Sequence, residues 1–483
     1  MKIEDIVFSK ENMQHQIQKQ CAAFEKCLDK IQKSKSLSRR INLAKKALFL
    51  ANNGSTRYFS SDVIENVFLE LGQKYKTNLS KDVIPNSVLH VASELYESGG
   101  HSRILERWIQ ESPKNQTNAL FLTRCHSVPE SVIKTMAERN GQIIKSDIKD
   151  TDIDIAMKLR QVASGYERII LHVHMDDYIP IIAFGCKEFS RPVYLFNHAD
   201  HRFWLGVSVA DKVLNFREFG KNISEKYRGV KKSFFLPLLN NNKNKSGKSD
   251  NKKLKEKLGI SKDRPVLFTA GSGFKYRPLL NLDFNKFLDA VIERVPDITI
   301  VAIGPKLNVT KADNLVNLSS MPYAKFNEYL SCADIVIDSF PFSGGTAILD
   351  AVSANKPVLC LECPTGHSNY TVKSVAYCHT MSELIEKTCI LINSEQERTK
   401  NITNIKHCLE QENISVWKSK CDDLYKQKIK HHVTNFHSVK SPINILDFFM
   451  FQNTCEVKRK LHIPHIFDVY RVKTGSKKRY IFI

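Results

Sequence analysis

The chain has 483 residues, a formal net charge of +21 and 42% hydrophobic residues. Its length exceeds what one hydrophobic core supports and predicts two or three domains. No apolar run approaches the roughly 18 residues that span a bilayer, and no signal-peptide pattern opens the chain, so we expect a cytoplasmic protein. The positive charge indicates an anionic partner, such as a nucleotide, a phosphorylated glycan, nucleic acid or the inner face of a membrane.

The first part of the chain, 1–84, is predicted to be a helical extension because it contains no strand pattern. Ser36 is a candidate N-cap of a helix that stops at Gly54. Ser61 or Asp62 is the candidate cap of a second helix.

Two series of short apolar runs follow, each alternating with amphipathic segments. The eight runs are 88–91, 119–122, 169–173, 193–196, 266–269, 298–303, 335–337 and 358–361. This alternation predicts mostly parallel sheets covered by helices.

The predicted architecture is therefore α/β, with two Rossmann-like domains. We place them at 85–239 and 258–400, on either side of a linker at 240–257 that is rich in lysine and asparagine. Residues 401–483 are predicted to form a helix after Asn413 that crosses back to the first domain, and a basic tail.

Cysteine spacing gives no sign of a metal site. Twelve cysteines are scattered along the chain, and only Cys360 and Cys363 have Cys-x-x-Cys spacing. The downstream His367 and Cys378 do not match a usual zinc spacing, so we expect reduced cysteines and no catalytic metal or other cofactor.

The glycine turn after the run at 335–337 is the most informative motif. Gly344 and Gly345 stand where a helix would begin, so unpaired backbone N–H groups can approach an anion with no side chain in the way. Thr346 adds a hydroxyl at the same end, and Asp350 follows within reach of sugar hydroxyls. This layout fits the diphosphate and ribose of a nucleotide-sugar.

The segment resembles the C-terminal half of the GT-B glycosyltransferases, including bacterial surface-glycan enzymes and, more distantly, the O-GlcNAc transferase-like group. The family pattern is carried here by Asp338, Pro341, Gly344, Gly345, Thr346 and Asp350. The resemblance implies a GT-B type fold, with two Rossmann-like domains facing a cleft, and a UDP-sugar site that also includes Ser343. Many retaining members have two glutamates eight positions apart, but Phe342 stands eight before Asp350, so retaining chemistry is not implied.

A small-residue loop after the run at 266–269 is predicted to complete the donor site. Lys275 and Arg277 can offset the charge of a diphosphate, and similar enzymes often use a basic residue here in place of a metal ion to stabilise the leaving nucleotide. The other donor-site residues predicted in this half are Gly271, Ser272, Gly273 and Gly304.

Polar clusters at three strand ends of the first domain are predicted to form the acceptor side. The first cluster contains the double glycine Gly99–Gly100, which resembles the N-terminal glycine loop of GT-B enzymes. The second runs from His172 to Asp177. The third, from Asn197 to His201, resembles an Asn-His-Ala-Asp-His segment of similar bacterial enzymes. The predicted acceptor-binding residues are Gly99, Gly100, His101, His174, Asn197, His201 and Trp204.

The acceptor hydroxyl needs a base, and four residues are candidates: Asp200, Asp176, His101 and His198. Asp200 ranks first because the neighbouring histidines can hold it and tune its pKa. In the second cluster, strand alternation places His172 and His174 on one face, together with Asp176 if the strand continues.

Other functions remain open at this point. An epimerase or a protein glycosyltransferase of the same fold would use the same donor motif. The run from His172 to Asp177 comes within one residue of the metallo-β-lactamase ligand pattern, although such a hydrolase would leave the glycine turn unexplained. A nucleic-acid-binding protein is less favoured, because the basic residues concentrate in the linker and tail instead of interleaving with aromatics.

We therefore expect a glycosyltransferase that passes a hexose or N-acetylhexosamine from a nucleotide-sugar to a hydroxyl group. The expected acceptor is a bacterial surface glycan or lipopolysaccharide precursor, with a glycolipid or protein as alternatives. We expect no nucleic-acid partner.

Overall fold

The computed structural model describes residues 10–97, 100–124, 127–147, 149–239, 251–410, 412–444 and 446–451. Most of the predicted linker, at 240–250, and most of the predicted basic tail lie outside the described residues. The last part of the predicted linker, Asn251–Lys257, is a helix.

Three helices open the described chain: α1 (Lys10–Lys33), α2 (Leu37–Asn52) and α3 (Asp62–Gln73). The Ser36 side chain accepts a hydrogen bond from the Arg39 N–H, and Ser61 caps α3 in the same way. These contacts satisfy N–H groups that a helix start leaves unpaired. The predicted helical extension is confirmed, with both serine caps in place.

A buried carboxylate joins this helical region to the sheet that follows. Glu65 on α3 accepts hydrogen bonds from the backbone N–H groups of Gly206, Val207 and Ser208 and from the Ser208 hydroxyl. The helices therefore pack against the first α/β half as part of one hydrophobic core.

The first sheet has seven parallel strands in the order β3-β2-β1-β4-β5-β6-β7. The strands are β1 (Ile84–Ala92), β2 (Thr117–Leu122), β3 (Gln142–Lys145), β4 (Tyr166–His172), β5 (Val193–Phe196), β6 (Lys212–Asn215) and β7 (Ser233–Phe235). The helices between them are α4 (Gly100–Glu111), α5 (Glu130–Glu138), α6 (Asp152–Ser164), α7 (Ile179–Phe184) and α8 (Glu218–Tyr227).

The second sheet has six parallel strands in the order β10-β9-β8-β11-β12-β13. The strands are β8 (Val266–Ala270), β9 (Thr299–Ile303), β10 (Leu315–Leu318), β11 (Ile335–Ile337), β12 (Val358–Leu361) and β13 (Tyr377–Cys378). The helices of this half are α9 (Asn251–Lys257), α10 (Phe284–Arg294), α11 (Tyr323–Ser331), α12 (Gly345–Ser353), α13 (Asn369–Val372), α14 (Met381–Asn393) and α15 (Glu395–Glu410).

The helix predicted after Asn413 is α16 (Ile414–Lys426), and Asn413 caps it. It returns to the first half: the rings of Trp417 and Trp108 lie 5.4 Å apart, and the Trp108 indole N–H donates to the Tyr425 hydroxyl at 3.3 Å. Within the described residues, none of the helices combines the length and apolarity needed to cross a bilayer.

Candidate active site

A cleft of about 900 Å³ lies between the two halves, beside the carboxyl ends of several strands. Ligands of open α/β sheets bind at such edges. The residues that line this cleft from the first half include Tyr96, His101, His174, Met175, His198, His201 and Arg202. Those from the second half include Gly273, Phe274, Tyr276, Arg277, Asn285, Pro305 and Leu307.

Two helices that start at glycines meet near this cleft. A Cβ atom added to Gly100, the first residue of α4, would lie 3.0 Å from the Thr346 side chain in the first turn of α12. Gly345 is exposed, and among the described residues a Cβ there would meet only Leu238, at 3.5 Å. Both helix starts can therefore present N–H groups to one anion. Gly99 lies outside the described residues.

The loop before α12 is held by a buried carboxylate. Asp338 accepts hydrogen bonds from the Gly344 N–H at 2.8 Å and from the Ser343 hydroxyl at 2.6 Å. Burial raises the pKa of this carboxyl. Pro341, in the same loop, follows Phe340 through a cis peptide bond. Asp338 therefore fixes the backbone on which the predicted donor residues stand.

Asp338, Cys360 and His367 are the one group of three potential metal ligands that we find within the described chain. Both ring nitrogens of His367 already have protein partners, the Leu361 carbonyl and, at 3.1 Å, the Ser343 hydroxyl. The group therefore works as a hydrogen-bonded support under the glycine turn.

The two basic residues predicted for the leaving group take different positions. The Lys275 ammonium lies 3.4 Å from the Ser343 carbonyl and 3.7 Å from the Cβ position of Gly344, beside the start of α12. Burial lowers the pKa of Lys275, because the charged form loses its hydration. Arg277 lines the cleft, as Gly273 does. Lys275 therefore lies beside the start of α12, and Arg277 lies at the cleft.

Gly304 is required by close backbone packing at the end of β9. Its φ is +96°, and a Cβ there would lie 2.4 Å from the Gly271 carbonyl oxygen. The Gly271 N–H in turn donates to the Ile303 carbonyl at 3.0 Å. This pairing shapes the loop that contains the exposed Ser272 and Gly273, of which Gly273 lines the cleft.

The Asp350 carboxylate is bound by side chains from both halves. It forms buried ion pairs with Arg103 and, at 2.8 Å, with Arg107, and it accepts a hydrogen bond from the Tyr323 hydroxyl at 3.0 Å. The Arg103 guanidinium also stacks 3.9 Å from the centre of the Tyr323 ring. The assignment of Asp350 to the ribose stays a prediction, and any ribose would have to share the carboxylate with these arginines.

His101 presents a nitrogen without a partner. Its Nε2–H donates to the His172 carbonyl at 2.7 Å, and its buried Nδ1 has no hydrogen-bond partner among the described residues. Burial, followed by the nearby His174, lowers the pKa of His101 to about 4. The ring is therefore neutral at pH 7, with the lone pair of Nδ1 available as an acceptor.

Two more histidines surround it. The rings of His101 and His198 lie 4.3 Å apart, and burial holds the pKa of His198 well below its ordinary value. His201 contacts the Phe342 ring of the second half at 4.5 Å, and its pKa falls to about 4 mainly through burial. The cleft therefore brings together His101, His198 and His201 as uncharged rings.

Several predicted site residues do not line this cleft. Both oxygens of the buried Asp200 carboxylate are bound by Arg217, whose charge lowers the pKa of Asp200 against the effect of burial. Asn197 accepts the indole N–H of Trp204 at 2.9 Å, and both side chains are buried in the first half. The catalytic role of Asp200 and the acceptor roles of Asn197 and Trp204 stay predictions, without support from position.

The predicted shared face of His172, His174 and Asp176 is wrong. Strand β4 ends at His172, so the alternation stops there. His172 is buried against His90, with 3.1 Å between their ring nitrogens, whereas Asp176 forms an ion pair with Arg124 at 3.0 Å. The ligand set that a metallo-β-lactamase would need is therefore not assembled by these residues.

Among solved structures, the fold is similar to that of a glycosyltransferase from Rickettsia africae (TM-score 0.54, 12% identity, covering 72% of this chain and 98% of that one). It is also similar to Anabaena HepE, solved in complex with UDP and glucose (TM-score 0.54, 14% identity, 70% and 99% coverage). The chain has a GT-B fold. The similarity to a mutant O-GlcNAc transferase from Thermobaculum terrenum extends over 92% of this chain and 82% of that one, at a TM-score of 0.50 and 12% identity. No protein-family model matches the GT-B chain, and no curated protein matches it in sequence.

Proposed function

We propose that this protein is a glycosyltransferase that moves a sugar from a nucleoside diphosphate-sugar to an acceptor hydroxyl group. The observation that carries the proposal is the meeting of α4 and α12 at a cleft between two parallel sheets. Both helices begin at glycines, and Lys275 lies beside one of those starts. The two helix starts suit a diphosphate, because they supply positive potential and their glycines have no side chain that would block its approach. The Lys275 ammonium adds a positive charge beside them.

The proposed donor is a UDP-sugar, held mainly by the second half, 258–400. HepE, which has a similar fold, was solved with UDP and with UDP-glucose, and this supports the choice of nucleotide. The proposed diphosphate contacts are the Gly345 N–H and the Thr346 hydroxyl, because the Gly344 N–H already donates to Asp338. Transfer of a hexose or N-acetylhexosamine without a catalytic metal is part of the proposal.

His101 is the proposed base, since it lines the cleft and its Nδ1 has no hydrogen-bond partner among the described residues. The acceptor oxygen attacks the anomeric carbon, and its proton passes to Nδ1 as the new C–O bond forms. The bond between the anomeric carbon and the diphosphate oxygen breaks, and UDP leaves with that electron pair. Lys275 and Arg277 stabilise the negative charge that develops on the leaving diphosphate.

The proposed acceptor is a bacterial surface glycan or lipopolysaccharide precursor, bound by the first half, 85–239. We place the protein in the cytoplasm, beside the anionic inner face of the membrane. The net charge of +21 supports this location, because it attracts the protein to anionic lipids. Salt-dependent retention on RNA, without stabilisation by any nucleotide-sugar, would instead favour a nucleic-acid-binding protein.

A thermal-shift panel of UDP-, GDP-, CMP- and ADP-sugars tests the donor. A ligand at about 100 times its Kd stabilises the native state by about 2.7 kcal/mol, so UDP-sugars should raise Tm and the others should not. No shift with any UDP-sugar would overturn the proposal.

Two matched variants test the base. His101→Asn should lower turnover by about 10²–10⁴-fold while UDP binding stays intact. Asp200→Asn keeps the shape of that side chain and should leave more turnover than His101→Asn does. The reverse order, measured on folded proteins, would return the role of base to Asp200.

A further inference from the structure

The chain after α16 returns along the first half and the N-terminal helices as an extended strap, which we define as residues 427–444. Both ring nitrogens of His431 are bonded, Nδ1 to the Asp211 carboxylate at 2.9 Å and Nε2 to the Phe184 carbonyl at 2.9 Å. Further along, the Ser441 N–H donates to the Arg57 carbonyl at 2.8 Å. The strap is therefore fixed to the body of the protein at several points.

A short helical segment, 446–451, follows the strap and contacts the N-terminal helical region. The Asp447 carboxylate accepts hydrogen bonds from the Ser55 hydroxyl and, at 2.8 Å, from the Asn444 N–H. Apolar side chains of the segment then form a cluster with residues of α1 and of the second half. The cluster contains Met13, Ile17, Leu279, Phe342, Phe448, Phe449, Met450 and Phe451.

Phe449 carries this segment into the cleft. It is a cleft-lining residue, and its ring stacks on Phe342 with 5.1 Å between centroids and 30° between planes. Phe342 also contacts Phe274, at 5.6 Å, and Phe274 lines the cleft while remaining 38% exposed. Three aromatic rings therefore contact one another in series, and we call this group the aromatic wall: Phe274, Phe342 and Phe449. Phe274 and Phe449 line the cleft, and the buried Phe342 ring connects them.

Hydrogen-bonding groups line the same cleft as the aromatic wall. They include the guanidinium of Arg202, the amide of Asn285 and the imidazole of His198. A sugar ring presents C–H faces that pack on aromatic rings and hydroxyls that need polar partners. A lipid chain offers these polar groups no partner, whereas sugar hydroxyls can add to the hydrogen bonds that Arg202 and Asn285 already make with Asn52 and Asn308.

We propose that Phe449 belongs to the acceptor-binding site and that the acceptor group it contacts is a sugar. This proposal rests on the proposed function, and it assigns to the C-terminal segment a part in recognition that neither α/β half supplies. The part of Phe449 that reaches the cleft, where 4% of the residue is exposed, contacts the acceptor sugar, and the more exposed Phe274 extends the same surface.

The test uses the full-length protein, labelled with a fluorophore, on a microarray of bacterial surface glycans and of serine- and threonine-containing peptides. Phe449→Ala should weaken binding to the glycans that the wild type binds by about tenfold. Phe449→Tyr should restore it, because an aromatic ring remains. Phe448→Ala is the matched control, since Phe448 belongs to the same cluster but not to the cleft lining, and it should bind glycans like the wild type.

Phe274→Ala keeps the experiment decisive if Phe449→Ala does not fold, because Phe274 is outside the packed cluster. It should also weaken glycan binding. Wild-type affinity in Phe274→Ala and Phe449→Ala, or wild-type binding to peptides alone, would overturn the proposal.

Calorimetry with UDP separates this proposal from the proposed function. UDP affinity should be the same in the wild type, Phe449→Ala and Phe274→Ala. Absence of UDP binding in the wild type, together with glycan binding that depends on Phe449, would support the sugar site and refute the transferase. UDP binding without any glycan binding would refute the sugar site alone.

Discussion

Arg107 on α4 and Asp350 on α12 form a buried ion pair, with 2.8 Å between guanidinium nitrogen and carboxylate oxygen. Helix α4 belongs to the first half and helix α12 to the second, so the ion pair joins the halves on either side of the cleft. The same carboxylate is the predicted ribose ligand. The association of the halves and the proposed donor binding would therefore both depend on the Asp350 side chain.

Arg107→Ala should destabilise the protein by about 1–3 kcal/mol, because it removes a charged partner from a buried carboxylate. Urea unfolding measures the change. Lys134→Ala, which breaks an exposed ion pair with Glu138 on α5, is the control and should cost at most about 1 kcal/mol. Equal stability of the two variants would contradict a structural role for Arg107.

Gly345→Val should abolish UDP-sugar binding with little effect on folding. The modest contact with Leu238 leaves room for a side chain in the folded protein, but a branched side chain would occupy the space through which a phosphate approaches the helix start. Calorimetry gives the affinity and thermal unfolding gives the fold. Normal affinity in this variant would remove the basis for the diphosphate site.

Gly304→Ala should destabilise the second half more than Gly259→Ala does. Both glycines have positive φ, +96° and +69°, so both alanines incur the backbone penalty of about 1–2 kcal/mol. Only the alanine at 304 would also collide with the Gly271 carbonyl, because no described residue lies within 4 Å of the Cβ position at 259. Denaturant titration of the pair isolates the collision, and equal losses would argue against close packing at Gly304.

Lys275→Ala should lower kcat by about 10²–10³-fold with a smaller effect on stability, since its charge is needed as the nucleotide departs. Lys286→Ala, an exposed lysine on α10, is the control and should retain full activity. Activity of the wild type should persist in EDTA. Complete loss in EDTA that zinc reverses would point to a metal-dependent reaction.

Stability should fall as the pH decreases from about 6.5 towards 4. The pKa values of His90, His101 and His201 are lowered to about 4, chiefly by burial, so the unfolded chain binds protons in this window and the folded chain does not. Each such histidine lowers the free energy of unfolding by about 1.4 kcal/mol for every pH unit by which the pH falls within this window. Urea unfolding at several pH values should give a shallower dependence for His90→Gln than for the control His407→Gln.

Local patterns predicted most of the framework. The eight apolar runs all became strands, because burial on both faces of a parallel sheet requires continuous apolar residues. The strands that were not predicted, β3, β6, β7, β10 and β13, are short or partly polar and lie towards the sheet edges. The sequences of these strands differ little from those of loops. They become extended because their backbones form hydrogen bonds with a neighbouring strand.

The site was harder to predict because its partners are distant in sequence. Arg103 and Arg107 stand four apart on α4, which indicates one helical face, but nothing local indicates Asp350 as their partner. The sequence ranks Asp200 first as the base because of its neighbouring histidines, but only the fold shows that Arg217 binds it. Phe449 lies in a tail without a pattern, and only the path of the strap brings it to the cleft.

The close approach of Gly100 to Thr346 limits how this site can change during evolution. A methyl group on residue 100 would press on the side chain of residue 346, although the two lie in different halves. Related sequences that gain a larger residue at one position should therefore carry a smaller one at the other. The residues at positions 100 and 346 should therefore co-vary among related sequences, although they lie in different halves.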